Sequence, residues 1–186
     1  MVEEGNKMLE REIKAKIVNK PEIIVRKLSE TGFRLSAVKR QVDIYYTHPC
    51  FNFKERDEAL RLRLENGEAF LTYKGPRRKR QVKIREEIEA KIYEPDRIRE
   101  ILERLGFKVL AEVRKVRKVF TSSQDKKLKV MLDYVEGLGY FLEIEAKEER
   151  AIQALYSKLQ KCGLRIVHKT YLEMILENKR NQNIKG

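Results

Sequence analysis

The most constraining feature of this chain is an alternation of apolar and charged residues that returns on one segment after another. In ALRLRLE (59–65), Leu60, Leu62 and Leu64 share one side of an extended strand, and Arg61, Arg63 and Glu65 share the other. In KIREEIEAK (83–91), Lys83, Arg85, Glu87, Glu89 and Lys91 oppose Ile84, Ile88 and Ala90. LEREIKAK (9–16) sets Glu10, Glu12, Lys14 and Lys16 against Leu9, Ile13 and Ala15. Further along, Thr72 and Lys74, Lys115 and Arg117, Lys129 and Asp133, and Glu143 and Glu145 repeat the pattern. A period of two over so many segments predicts antiparallel strands, each with one apolar and one ionic face.

Two architectures satisfy that pattern. An open sheet would bury its apolar face under helices and turn its charged face to water. A closed sheet would wear the helices outside and line a wet interior with charge. Spacing alone leaves both open; the crowding of arginines and carboxylates on neighbouring strands favours closure. Such an interior must hold water, cross-strand ion pairs or a charged ligand, since each unpaired buried ion costs on the order of several kcal/mol.

The order of elements supports one domain spanning residues 1–186. EIKAKIVNKPEIIVRKLSETGF (12–33) and EIEAKIYEPDRIREILERLGF (87–107) share strand, proline, helix and Gly-Phe in sequence, an internal duplication. It defines halves of about 8–80 and 82–147, followed by C-terminal helices over 148–180. Strands are expected at 9–18, 41–47, 59–65, 69–75, 82–92, 109–121, 128–135 and 140–147. Asn66-Gly67 marks a hairpin turn, and residues 76–81 (PRRKRQ) a basic, solvated loop. Tyr45, Tyr46 and Phe120 are expected as strand or core aromatics, and His48-Pro49 as a turn.

The net charge of +13 favours an anionic partner. Cys50 and Cys162 lack metal-ligand spacing and are expected as buried or partly buried thiols in a reducing compartment. His48 and His168 have no Cys or His partner at zinc spacing. No apolar run is long enough to span a membrane and no signal peptide opens the chain, so a cytoplasmic location and no membrane partner are expected. A triphosphate is a compact polyanion suited to arginine forks and lysine ammonium groups. Carboxylates on the same surface would repel it unless Mg²⁺ or Mn²⁺ lies between. The mixed stripes therefore suit metal-assisted phosphoryl or nucleotidyl chemistry.

Glu10-x-Glu12-x-Lys14, followed in order by QVDIYYTHP (41–49), ALRLR (59–63), YKGP (73–76), KIREEIE (83–89), VRKVRKVF (113–120) and LDYVEGLGYFLEIE (132–145), resembles the CYTH superfamily of triphosphate tunnel enzymes. The resemblance covers residues 8–147, is nearer the class IV adenylyl cyclase branch, and implies an α+β fold: a closed antiparallel eight-stranded tunnel with helices packed outside, built from two similar halves. It implies metal ligation by Glu10, Glu12 and Glu145, helped by Glu143. It implies phosphate binding by Lys14, Arg61, Arg63, Lys74, Arg85, Lys115 and Arg117. Asp133, with Lys14 and Arg117, is implied in catalysis; Glu87 and Glu89 would bind a second metal or orient the cations.

The implied reaction converts ATP to cyclic AMP and pyrophosphate. The alternative is hydrolysis of inorganic, thiamine or nucleoside triphosphate. A second alternative is a non-catalytic module for RNA or polyphosphate, suggested by Arg77-Arg78-Lys79-Arg80; the carboxylates argue against nucleic acid as a partner. A homodimer is compatible with the sequence.

Overall fold

The computed structural model describes residues 8–77 and 82–183, with side chains described for 11–77 and 82–182. Arg78, Lys79 and Arg80 of the basic loop, and the Glu10 side chain, lie outside the described residues.

The elements follow as β1 (Met8–Ile17), α1 (Pro21–Glu30), β2 (Phe33–Thr47), β3 (Ala59–Glu65), β4 (Glu68–Lys74), β5 (Lys83–Ile92), α2 (Pro95–Arg104), β6 (Lys108–Ser122), β7 (Lys129–Val135), β8 (Gly139–Glu145), α3 (Glu149–Leu159), β9 (Leu164–Ile166) and α4 (Tyr171–Asn183). Antiparallel pairing runs β5-β4-β3-β2-β6-β7-β8-β1, and β1 returns to β5. Eight strands thus close into a barrel with no free edge within the ring. Short β9 joins β1 where β5 leaves it: residues 8–12 pair with β5 and residues 15–17 with β9.

The duplicated sequence folds as duplicated structure. Both α1 and α2 open on proline, whose missing N–H is no loss at a helix start. Both are followed by a glycine in the left-handed region, Gly32 at φ +86° and Gly106 at φ +91°. Each glycine leads into a strand of 15 residues, and these two strands, β2 and β6, pair with each other. The Asn66-Gly67 turn has positive φ at both residues, as a tight hairpin requires.

β2 begins at Phe33, well before the expected 41. Residues 34–40 carry no apolar stripe facing a core; Leu35 and Val38 are exposed, and a bulge between Leu35 and Ala37 breaks the period. Backbone pairing with β6 holds this stretch extended.

The apolar outer faces are covered as closure demands. Ile24 and Leu28 of α1, with Ile152, Leu155 and Leu159 of α3, pack on Ile13, Val130, Leu142 and Ile144. α2 brings Leu102 and Ile98 onto Ile44, Tyr46 and Leu62. Each fully buried side chain of this kind contributes about 1.5–3 kcal/mol.

Two expectations need correction. The bore is not ionic throughout: Tyr45, Val113, Val135 and Phe141 form an apolar cluster at one end, joined by Tyr171 from α4. The ionic stripes yield to apolar residues one inward position further along. Cys50 is exposed, in the turn after β2, while Cys162 is half-buried. The aromatic expectations hold: Tyr45, Tyr46 and Phe120 are buried. Among the described residues, no helix is long and apolar enough to cross a membrane.

Candidate active site

The bore encloses a cavity of about 1380 Å³. Strand alternation and barrel closure together bring the expected cations and carboxylates onto its wall. Glu12, Lys14, Arg61, Arg63, Lys74, Arg85, Glu87, Glu89, Lys115, Arg117, Glu143 and Glu145 all line it. The side chain of Glu10, one inward position before Glu12, is outside the described residues.

Most of these charges meet a built partner. Arg63 forks onto Asp43, with Nε 2.6 Å from Oδ1 and Nη2 2.9 Å from Oδ2. Lys115 Nζ donates to the same carboxylate at 2.9 Å, and Arg61 approaches it at 3.9 Å. Arg61 also donates to Thr72 Oγ1, which itself donates to Glu89. Lys74 is bonded to Glu87. Glu87 thus lies against Lys74, and Glu89 lies 3.6 Å from Arg61. Arg117 forks onto Asp133 at 2.7 and 2.6 Å and also bonds Glu143. Lys14 lies 3.0 Å from Glu143 and 3.9 Å from Glu12.

The electrostatics follow from these pairings. Burial would raise the Asp43 pKa, but Lys115, Arg61 and Arg63 outweigh it and hold it well below the usual carboxylate range. Glu143 behaves likewise under Lys14 and Arg117. For Lys14, burial pulls the pKa down, yet Glu143 and Glu12 hold it above the ordinary lysine value. Lys115 is pushed down to about 8 by burial, against the pull of Asp43. Lys83 falls to about 8 through burial and then repulsion by Lys14.

Asp133 is fully buried and accepts from both Arg117 and the Tyr171 hydroxyl, the latter at 3.0 Å. Its carboxylate thus holds Arg117 in place. The Tyr171 ring also sits 4.0 Å from Lys14 Nζ, a cation–π contact.

Glu12 and Glu145 face each other across the β1–β8 ladder, both on the bore side. Two carboxylates on directly opposed positions are close enough to share a cation. Among the described residues, no three acidic, imidazole or thiol groups converge into a complete metal cage. A pair of carboxylates is nevertheless the donor set Mg²⁺ takes when substrate phosphates and water complete its shell. Glu143 is committed to Lys14 and Arg117.

Sequence reasoning missed Asp43, Tyr171 and the role of Thr72. Asp43 stands alone among apolar and aromatic neighbours, and only the inward parity of Gln41, Asp43 and Tyr45 signalled it. The basic loop was read as solvated; Arg77 instead bonds Asp57 and Glu173, latching the loops beside β3 and β5 to α4.

Comparison with known proteins agrees with this architecture. The family model for the CYTH domain matches residues 8–169, and the chain belongs to that family. It is 38% identical over 176 residues to the "Putative adenylate cyclase MJ0240" of Methanocaldococcus jannaschii, covering 90% of this chain and 98% of that one. The PH1819 protein of Pyrococcus horikoshii is 41% identical with a TM-score of 0.79, covering 91% of this chain and 99% of that one. The Hippeastrum protein HpAC1, described as a "putative adenylyl cyclase" with a dominant triphosphatase activity, shares the fold at 21% identity and a TM-score of 0.75, covering 91% and 96% of the two chains.

Proposed function

We propose that the protein is a divalent-metal-dependent enzyme acting on triphosphates, and that it converts ATP to cyclic AMP and pyrophosphate. The observation that carries this reading is the opposed pair Glu12 and Glu145 inside a strongly cationic bore. Pure anion binding has no use for carboxylates there. Mg²⁺ or Mn²⁺ held by Glu12 and Glu145 would supply Lewis acidity at the phosphate.

The chain's own residues supply the rest. Lys14, Arg63, Arg85, Lys115 and Arg117 surround the space where a polyphosphate would lie and would neutralise charge that grows on departing pyrophosphate. Asp133 and Glu143 pre-orient Arg117, so little reorganisation is needed as that charge develops. In the cyclisation, the ribose 3′-oxygen bonds the α-phosphorus as the bond to pyrophosphate breaks. The cavity wall also includes the apolar side chains Phe53, Leu110, Leu172 and Leu176, the last two on α4 among Glu173, Glu177 and Arg180. A wall that carries apolar side chains as well as ionic ones suits a nucleotide better than inorganic tripolyphosphate. The adenylate cyclase name of the 38%-identical relative supports the same reading.

Hydrolysis is the second reading, because Lys14, Arg117 and Glu12 would serve an attacking water as well as a ribose hydroxyl. The test is incubation with ATP, tripolyphosphate or thiamine triphosphate, each with Mg²⁺ or Mn²⁺. Cyclic AMP with pyrophosphate is the expected outcome. Orthophosphate release without cyclic AMP selects hydrolysis, and no turnover of any of the three overturns both readings.

A further inference from the structure

Among the described residues, each lysine and arginine assigned above to phosphate binding meets a carboxylate except Arg85, whose hydrogen bonds go to the carbonyls of Gly75 and Asp57. Lys83, two residues earlier on β5 and on the same inward face, was given no role from the sequence. It is 8% exposed, and its Nζ has no hydrogen-bond partner among the described residues. The carboxylate oxygen it approaches, Glu12 Oε1, is 3.9 Å away, and Lys14 lies at the same distance from that atom. That separation is too long for a hydrogen bond. A buried ammonium with three unused donors is costly, and folded chains seldom retain one without use. The side chain lines the cavity, beside Glu12 on the neighbouring strand.

We infer that Lys83 is a phosphate-contacting residue of the tunnel, its unmatched ammonium completed by an oxygen of the bound polyphosphate. The inference rests on the triphosphate reading of the site. Lys83 differs from Lys14, Lys115 and Arg117, each of which is held by a carboxylate before substrate arrives. Those side chains are pre-positioned at the expense of free charge. Lys83 keeps its hydrogen-bond donors unspent among the described residues. A cation on Glu12 would compete for the carboxylate oxygen that Lys83 approaches among the described residues, which leaves a phosphate oxygen as an acceptor suited to its ammonium. Nothing on the sequence distinguishes Lys83 from the other members of its stripe; only the pairing of its neighbours does.

The test separates a ligand contact from a structural group. Tripolyphosphate binding is measured by titration calorimetry with Mg²⁺ present, alongside the melting temperature of the ligand-free protein, for wild type, Lys83→Met, Lys83→Gln and Lys83→Arg. A charge-assisted hydrogen bond corresponds to roughly tenfold to hundredfold in affinity. Lys83→Met and Lys83→Gln are expected to weaken binding by that factor while melting at or above the wild-type temperature. Lys83→Arg is expected to stay within a few-fold. Unchanged affinity in Lys83→Met or Lys83→Gln overturns the inference and leaves the triphosphate reading standing. So does weaker binding matched by a lower melting temperature in both, the mark of a structural group. Failure of the wild type to bind tripolyphosphate at all overturns the reading of the site, and Lys83 with it.

Discussion

Asp43 gathers three cations on one buried carboxylate, and its neighbours depend on it more than it depends on any one of them. Asp43→Asn would leave Arg63 and Lys115 buried without a countercharge, destabilising the fold by about 3–5 kcal/mol in a denaturant melt. Because its folded pKa is depressed, the stability it contributes is present above the ordinary carboxylate pKa and lost as pH falls through the folded value. Glu12→Gln and Glu145→Gln differ in kind: each should lower metal-dependent turnover on the order of 100-fold while the melting temperature holds or rises. A fall in stability with turnover intact would contradict their placement. Much of the site was legible at this scale. Arg61, Arg63, Arg85, Lys115, Arg117, Glu143 and Glu145 announce their common surface because each has another charged residue two positions away on its own strand. Asp43 did not, since its inward neighbours Gln41 and Tyr45 are uncharged, and the pairing that gives it meaning comes from two other strands, β3 and β6.

Among the elements, α4 illustrates what local pattern cannot say. Its start is a capping box: Glu173 N donates to Thr170 Oγ1 at 3.2 Å, and Thr170 N donates back to Glu173 Oε2. Thr170-Tyr171-Leu172-Glu173 carries that signal in the sequence, and the helix was expected. That its first residue reaches into the bore was not legible, because the contact depends on where a closed barrel ends. Tyr171→Phe removes a hydrogen bond to buried Asp133 and should cost about 1.5–3 kcal/mol. Faster amide exchange in α4 than in β6 would show that the loss is local; unchanged exchange would contradict the contact. Glu173 is held down to about 2 by Arg77 and the Thr170 backbone, against burial. With a depressed folded pKa, its hold on α4 is complete above about 4.5 and fades as pH falls toward about 2. Exchange protection in α4 should decline across that window, and Glu173→Gln should abolish the decline. The strands were the easiest elements to foresee, except the first half of β2, where neither face is buried and only its partner strand keeps it straight.

For the molecule as a whole, closure of β1 onto β5 turns eight ordinary amphipathic strands into a tunnel. The same duplication that was visible as repeated text places β2 against β6, so the barrel is assembled from two like halves around a common bore. The net charge of +13 then acts at long range on an anionic substrate, and salt should weaken it. Raising ionic strength from about 50 to about 500 mM should increase KM for a triphosphate roughly tenfold; a KM indifferent to salt would contradict a cationic entry path. The central claim is that the ionic bore is where triphosphate and metal meet. Anomalous diffraction from crystals grown with Mn²⁺ and tripolyphosphate tests it most directly. The account predicts a manganese peak between Glu12 and Glu145, with phosphate density reaching Lys14 and Arg117. Phosphate and manganese found only on the outer, helix-covered side, with the bore holding neither, would contradict it.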